Sequence, residues 1–310
     1  MTAYTIQFAG QENFDYPRSR IVRSDDTPHA RAAAQALGLD HRVVAVRREE
    51  LASDLASLAT INDALPAWEQ ELAQHHLARA ASREHRAVLV GDAADETHYG
   101  YAFLLDAEAT RTPGRIMERF GAAPLSPELN GASVRALDQH YRALAESAGY
   151  CWESPLDHLL ATAYLIVKRW LPRLLHNGDI HTMAFSVEAR VPFADTALLT
   201  LAERIHPHLA VNGAEEKRLL RAAARGMVPE AQRTRKKSAL PKDQQTSAVY
   251  QAEARGALNE SGDFLGAWLD LAGVEALAKT KHPLTENERS LLFRTIALHH
   301  WRRAYNVAPP

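Results

Sequence analysis

Three short apolar runs, separated by stretches of helical character, constrain this chain more than anything else in it. Ala3 to Phe8 alternates Tyr4, Ile6 and Phe8, while Arg42 to Val46 and Ala87 to Val90 are nearly all apolar. Runs of this kind suit strands covered on both faces in a buried parallel sheet. Between the first two, Thr27 offers an N-cap, Pro28 a first helical residue and Gly38 a stop, enclosing an alanine-rich helix. A second helical stretch, from about Pro66 to Ser82, leads into the third run. Strand and helix therefore alternate up to the third run, as in open α/β folds, whose ligands sit at the carboxyl ends of the strands. Past Gly100 no comparable strand is read, and apolar residues recur at helical spacing in Leu156 to Leu175, Asp195 to Ile205 and Glu286 to Tyr305. The expectation is an α/β part over 1–110 and a mainly helical part over 111–310, closely joined, with loops near 111–131 and 240–263.

Charge narrows the partners. Lysine plus arginine number 36 against 38 acidic residues, a formal net charge of -2, which gives no general attraction to nucleic acid or to an anionic membrane. The one dense basic run, Arg233 to Lys237, carries no aromatic stacking pattern. The opening residues show no basic segment followed by an apolar one, and no stretch approaches the ~18 apolar residues of a spanning helix, so a cytoplasmic location is expected. The single cysteine, Cys151, is read as a buried small apolar residue in a reducing compartment.

Three segments carry chemistry. Directly after the third run comes Gly91-Asp92-Ala93-Ala94-Asp95-Glu96, three carboxylates at a strand end. Small residues between them let backbone N–H groups approach a phosphate, and carboxylates beside polyphosphate imply a bridging magnesium. The same residues would also serve as acids at a helix N-terminus, and the residues alone leave both readings open. In the second segment, His181 to Phe193, Glu188 and Arg190 precede Pro192, and the chemistry by itself favours an ion pair that holds a loop. The third, Glu215 to Arg221 with Arg233, Arg235, Lys236 and Lys237 after it, is either a solvated helix face or a source of one inward lysine that stabilises a departing polyphosphate.

In this order the segments resemble the C-terminal synthetase domain of glutamine-dependent asparagine synthetases, from about Tyr4 to Tyr305. Val90 to Glu96 is similar to that family's Ser-Gly-(Asp/Glu)-Gly-(Ala/Ser)-Asp-Glu loop, Ser186 to Asp195 to its Ser-x-Glu-Ala-Arg-Val-Pro-Phe-x-Asp segment, and Lys217 to Arg221 to its Lys-x-x-Leu-Arg. Pro229 to Lys237 resembles its proline-glutamate and basic stretch. The resemblance implies an open parallel sheet of the adenine-nucleotide α-hydrolase (ATP pyrophosphatase) type, followed by helices. It implies magnesium-ATP activating a carboxylate, aspartate, as an acyl-adenylate that ammonia attacks to form an amide. By position, the backbone of Ile6 to Phe8 would border adenine, Gly91 would contact the nucleotide, and Asp95 would hold magnesium pyrophosphate. Lys217 would stabilise the departing phosphates, Asp92 would orient or deprotonate the amine, Glu96 would anchor the loop, and Arg190 and Lys236 would belong to the nucleotide site.

The sequence departs from the family in two large ways. No Ser-Gly-Gly-x-Asp-Ser phosphate loop and no glutaminase domain with its leading cysteine occur among the 310 residues. The expectation is a domain truncated at its N-terminal side, its sheet lacking one strand, with ammonia free or supplied by a separate glutaminase chain or domain. Smaller departures are Val90 for serine and Ala93 for glycine in the acidic loop. Two other readings stand beside this one: an amide-forming cyclase of the same family, acting on β-lactam or lasso-peptide precursors, and a non-catalytic module that binds a partner.

Overall fold

The computed structural model describes residues 1–8, 25–62, 65, 69–111, 127–211, 215–238 and 246–308. Strand β1 (Thr2–Phe8) lies parallel to β2 (Asp40–Val46), in register from Thr2 opposite Asp40 to Phe8 opposite Val46. The crossover between them is α1 (Thr27–Ala36), with Pro28 in its first turn. Thr27 is the first helical residue and not the cap: its N–H donates to Asp25 Oδ1 at 2.8 Å, and Asp26 holds the cap position. Gly38 ends the unit at φ +65°, a conformation glycine adopts without strain.

Helix α2 (Arg48–Ile61) follows β2. It is absent from the sequence reading although Leu51, Leu55 and Leu58 repeat at i, i+4 and i+7; alanine and serine between them dilute the stripe. Helix α3 (Gln70–Ala81) then leads to β3 (Ala87–Leu89). The expected start of α3 near Pro66 lies outside the described residues.

Two corrections concern the sheet. The third run pairs not with β1 or β2 but with a further strand, β4 (Glu188–Arg190), so the described residues form two parallel two-stranded sheets instead of one. Three residues reading Glu-Ala-Arg are too short and too polar to announce a strand, which is why none was read past Gly100. The sheets approach each other at Tyr4 of β1 and His85 before β3, whose rings meet edge-on at 5.8 Å. The expected double-sided burial is also incomplete: no residue of β3 is buried, and Leu89 is 64% exposed.

The rest is helical: α4 (Ala94–Thr97), α5 (Ala107–Thr110), α6 (Pro127–Ser147), α7 (Pro155–Leu165), a π turn over Ile166–Trp170, and α8 (Leu171–Met183). After β4 come α9 (Thr196–Arg204), α10 (Pro207–Ala210), α11 (Arg218–Ala223), α12 (Glu230–Arg233), α13 (Thr246–Gly266), α14 (Leu271–Lys279) and α15 (Glu286–Tyr305). Both loops expected from glycine and proline content run into helices, α6 from Pro127 and α13 from Thr246; positions 112–126 and 239–245 lie outside the described residues. Gly256 and Gly262 weakened the helical signal of α13, which tertiary packing restores: Tyr250, Ala254, Ala257, Phe264 and Leu265 are all buried. These join Ile6, Phe8, Val46, Leu51, Leu55 and Leu58 with Leu292, Phe293 and Ile296 of α15 in the principal core. Cys151 is exposed, against the expectation that it is buried. Among the described residues no helix is long and apolar enough to cross a membrane.

Candidate functional site

Beyond β3 the chain turns sharply. The Val90 N–H donates to the carbonyl of Arg190 at 3.0 Å, the last rung between β3 and β4, and Gly91 and Asp92 then lead into α4 through Ala93 at φ +72°. A left-handed alanine costs roughly 1–2 kcal/mol, and it stands where the resembling family carries glycine. Tyr99 and Lys217 also have positive φ, 54° each, and the Lys217 N–H reaches the Tyr99 carbonyl at 3.5 Å. Three of the five described non-glycine residues with positive φ thus lie in or against this loop, the clustering expected where a site holds strain.

Asp95 is the centre. Lys217 Nζ lies 2.8 Å from its Oδ1 and Lys237 Nζ 2.7 Å from its Oδ2, so one carboxylate is clamped between two ammonium groups. Gly100 makes room for it, since an ideal Cβ at Gly100 would sit 2.0 Å from Asp95 Oδ1 and 2.7 Å from Asp95 Cα. Lys237 is delivered by Arg221 of α11, whose guanidinium donates to the carbonyls of Glu216 and Arg235 at 2.7 Å each and to that of Arg233. The Lys237 N–H adds a bond to Glu216 Oε2 at 3.1 Å, and its ammonium lies 5.5 Å from the Tyr101 ring centre.

Both neighbouring acids are pushed above the ordinary carboxyl range, burial being the main cause for each. Burial, then repulsion from Asp95, raises the affinity of Asp92 for a proton, with Lys237 opposing. Glu96 is 5% exposed and accepts a hydrogen bond from the Tyr101 hydroxyl; burial pushes its carboxyl up and that bond pulls it down. The Tyr101 hydroxyl is driven far above its ordinary range, by burial first and then by Glu96. Its ring stacks on Phe103 at 5.2 Å and meets Trp170 edge-on at 5.6 Å, so Glu96 is tied to an apolar cluster.

The structure brings Gly91, Asp92, Asp95, Glu96 and Lys217 together. It places the other expected residues elsewhere. Ile6 and Phe8 turn their side chains into the principal core, on the other sheet. Arg190 borders the loop through its backbone, while its side chain is exposed and pairs with Glu188 at 3.3 Å. Lys236 is exposed, and Lys237, the next residue, makes the contact. Past α12 side chains two residues apart reach different partners, Arg235 to Asp26 and Lys237 to Asp95, and a lysine pair in sequence does not say which member faces in. Tyr101 and Gly100 are the residues that sequence reasoning missed, while Lys237 stood in the basic run without being singled out from Lys236; the small Gly100 between two tyrosines is the one local hint.

Among the described residues no group of three or more His, Cys, Asp or Glu could hold a metal ion. Asp92 and Asp95 instead fit a magnesium that arrives already bound to phosphate oxygens, since such ions take only one or two protein carboxylates.

Carboxylates at the carboxyl end of a parallel strand, faced by lysines from the helical half, put the charged cluster of this α/β protein where such folds bind their ligands. The chain belongs to the asparagine synthase family, whose model matches residues 1–303. It is 25% identical over 248 residues to asparagine synthetase [glutamine-hydrolyzing] 3 of Bacillus subtilis (strain 168), a match covering 77% of this chain and 40% of that protein. Asparagine synthetase [glutamine-hydrolyzing] 1 of the same organism is 26% identical over 255 residues, covering 68% of this chain and 39% of the relative. The chain spans about two fifths of the length of the curated relatives it matches.

Proposed function

We propose that this chain is the synthetase part of an ATP-dependent, amide-forming ligase, in which a carboxylate substrate, aspartate, is activated as its acyl-adenylate and then attacked by ammonia. The observation that carries this reading is the clamp on Asp95: two ammonium groups on a strand-end carboxylate, beside an Asp92 whose proton affinity is raised. When ATP binds, Lys217 and Lys237 transfer their ion pairs from Asp95 to the departing phosphates, stabilising charge where it develops. Magnesium supplies neutralisation of the polyphosphate, with Asp95 and Asp92 as the available carboxylates. Asp92 takes the proton released as nitrogen forms its bond to the acyl carbon and AMP leaves that carbon; a carboxyl lifted above its ordinary range is a better base for that step. Glu96, locked to Tyr101, holds the loop.

No Ser-Gly-Gly-x-Asp-Ser segment is present among these 310 residues, so full turnover is expected to need a phosphate-binding unit beyond them, with ammonia, free or released by a glutaminase, as the amine. The test is pyrophosphate release from magnesium-ATP with aspartate and ammonium, comparing this chain with the same chain joined to an upstream β-α unit bearing that loop. Release from the joined protein alone supports the reading. Silence with aspartate but response to a β-amino acid or a peptide moves the assignment to a cyclase, and nucleotide binding without turnover in either form moves it to a non-catalytic module.

A further inference from the structure

Both clamp lysines trace back to one guanidinium. The side chain of Arg221 is 14% exposed, and each of its three nitrogens takes a different main-chain carbonyl: Nε that of Glu216 and Nη2 that of Arg235, at 2.7 Å each, and Nη1 that of Arg233. The Arg221 N–H donates to the Lys217 carbonyl at 2.8 Å. Lys217 is thus fixed from two sides, by the Arg221 side chain at the residue before it and by the Arg221 main chain at its own carbonyl.

The other lysine depends on the same residue. Thr234 to Lys237 belong to no helix or strand, so the course of that stretch is set by what its backbone groups bond to. Arg221 holds it at Arg233 and Arg235, and Glu216 joins the two segments: its carboxylate accepts the Lys237 N–H at 3.1 Å and lies 4.0 Å from Arg221 Nη2. On its outer side the stretch is tied to α1, through Arg235 to Asp26 and through Gln232 Nε2, which donates to the His29 carbonyl at 3.2 Å. Gathering cations on one carboxylate opposes their mutual repulsion and the freedom of two long side chains, so the main chains that carry them must be held.

We propose that Arg221 is the positioning residue for both lysines. Through the carbonyls of Glu216, Arg233 and Arg235 it sets the separation of the main chains bearing Lys217 and Lys237, and with it the placement of two ammonium groups on the oxygens of Asp95. The use of those groups on phosphate rests on the ligase reading of the site; their placement does not, and is measurable without substrate. A lysine at position 221 would carry its donors on one nitrogen, where the planar fork directs them to three separate carbonyls.

The experiment is a double-mutant cycle on the 310-residue chain, read as the midpoint of urea denaturation. Lys237→Ala is expected to lower the midpoint in the parent and to lower it less than about half as much in Arg221→Gln, where the ammonium is no longer held on Asp95. Lys217→Ala should behave alike, and Lys236→Ala should change both backgrounds equally. Equal shifts from Lys237→Ala in the two backgrounds, or no shift in the parent, overturn the proposal and leave Arg221 a residue of local stability. If Arg221→Gln does not fold, Arg221→Lys decides in the same way. The cycle is then repeated on magnesium-ATP affinity by isothermal titration, where Arg221→Gln is expected to weaken binding about fivefold or more and to add nothing to Lys237→Ala. Additive losses of affinity also overturn the proposal. Coupling in denaturation with no effect of Lys237→Ala on magnesium-ATP, or with no binding in the parent, counts against the ligase reading and not against this one.

Discussion

Lys236 and Lys237 are adjacent and chemically identical, yet only one meets the acidic loop. Lys237→Ala is expected to weaken magnesium-ATP binding by about tenfold or more, as for loss of a charge-assisted contact, and Lys236→Ala to leave it within about twofold. Isothermal titration of both variants checks this, and equal effects would remove Lys237 from the site. Gly100 is the other residue whose role comes from geometry: Gly100→Ala drives a methyl into Asp95, backbone included, and is expected to cost about 1–3 kcal/mol in urea denaturation. How far these residues could be read from sequence divides along the same line. Asp92, Asp95 and Lys217 were legible because short motifs in a fixed order carry them. Lys237, Tyr101 and Gly100 were not, because their roles follow from which way a non-helical segment turns and how closely two backbones approach.

Among the elements, the strands and first crossover were legible because apolar runs and a Thr-Pro…Gly frame specify them locally. Strand β4 and the separation into two sheets were not, since a three-residue strand exists only through its partner. Helix α13 shows the reverse case, a glycine-bearing stretch made helical by what it packs against. Its one irregular residue, Ser261, leaves helical geometry at φ -135° and is 3% exposed. The Ser261 hydroxyl lies 2.8 Å from His299 Nδ1 and accepts from Arg302 Nη1 at 2.9 Å, which joins the kink to α15. Ser261→Ala should therefore cost about 1–3 kcal/mol, the range for buried polar groups left unpaired, a loss measurable by chemical denaturation. A loss no larger than that of an exposed serine would mean that the kink is held by packing alone.

For the whole molecule, buried histidines set the response to acid. Burial is the main cause that pushes His75 and His300 each down to about 4 from an ordinary 6.5, and it lowers His299 as well. Asp54 pulls His75 the other way, and His299 reinforces the shift on His300. These rings are neutral in the folded chain and take up protons on unfolding, so the stability they contribute is complete above pH 6.5 and is lost as pH falls towards 4. Each ring should add up to about 1.4 kcal/mol per pH unit to the slope of stability within that window. Denaturation midpoints followed across the window check this, with His75→Gln expected to remove about one proton's share. The distribution of apolar burial has a different consequence. The principal core belongs to β1, β2 and the helices α2, α3 and α13 to α15, whereas α9, α11 and α12, which frame the clamp, contain no buried residue. Scanning calorimetry should accordingly resolve two endotherms, a cooler one for the ligand-receiving half and a hotter one for the scaffold, and the saturating ligand should raise the first and merge it with the second.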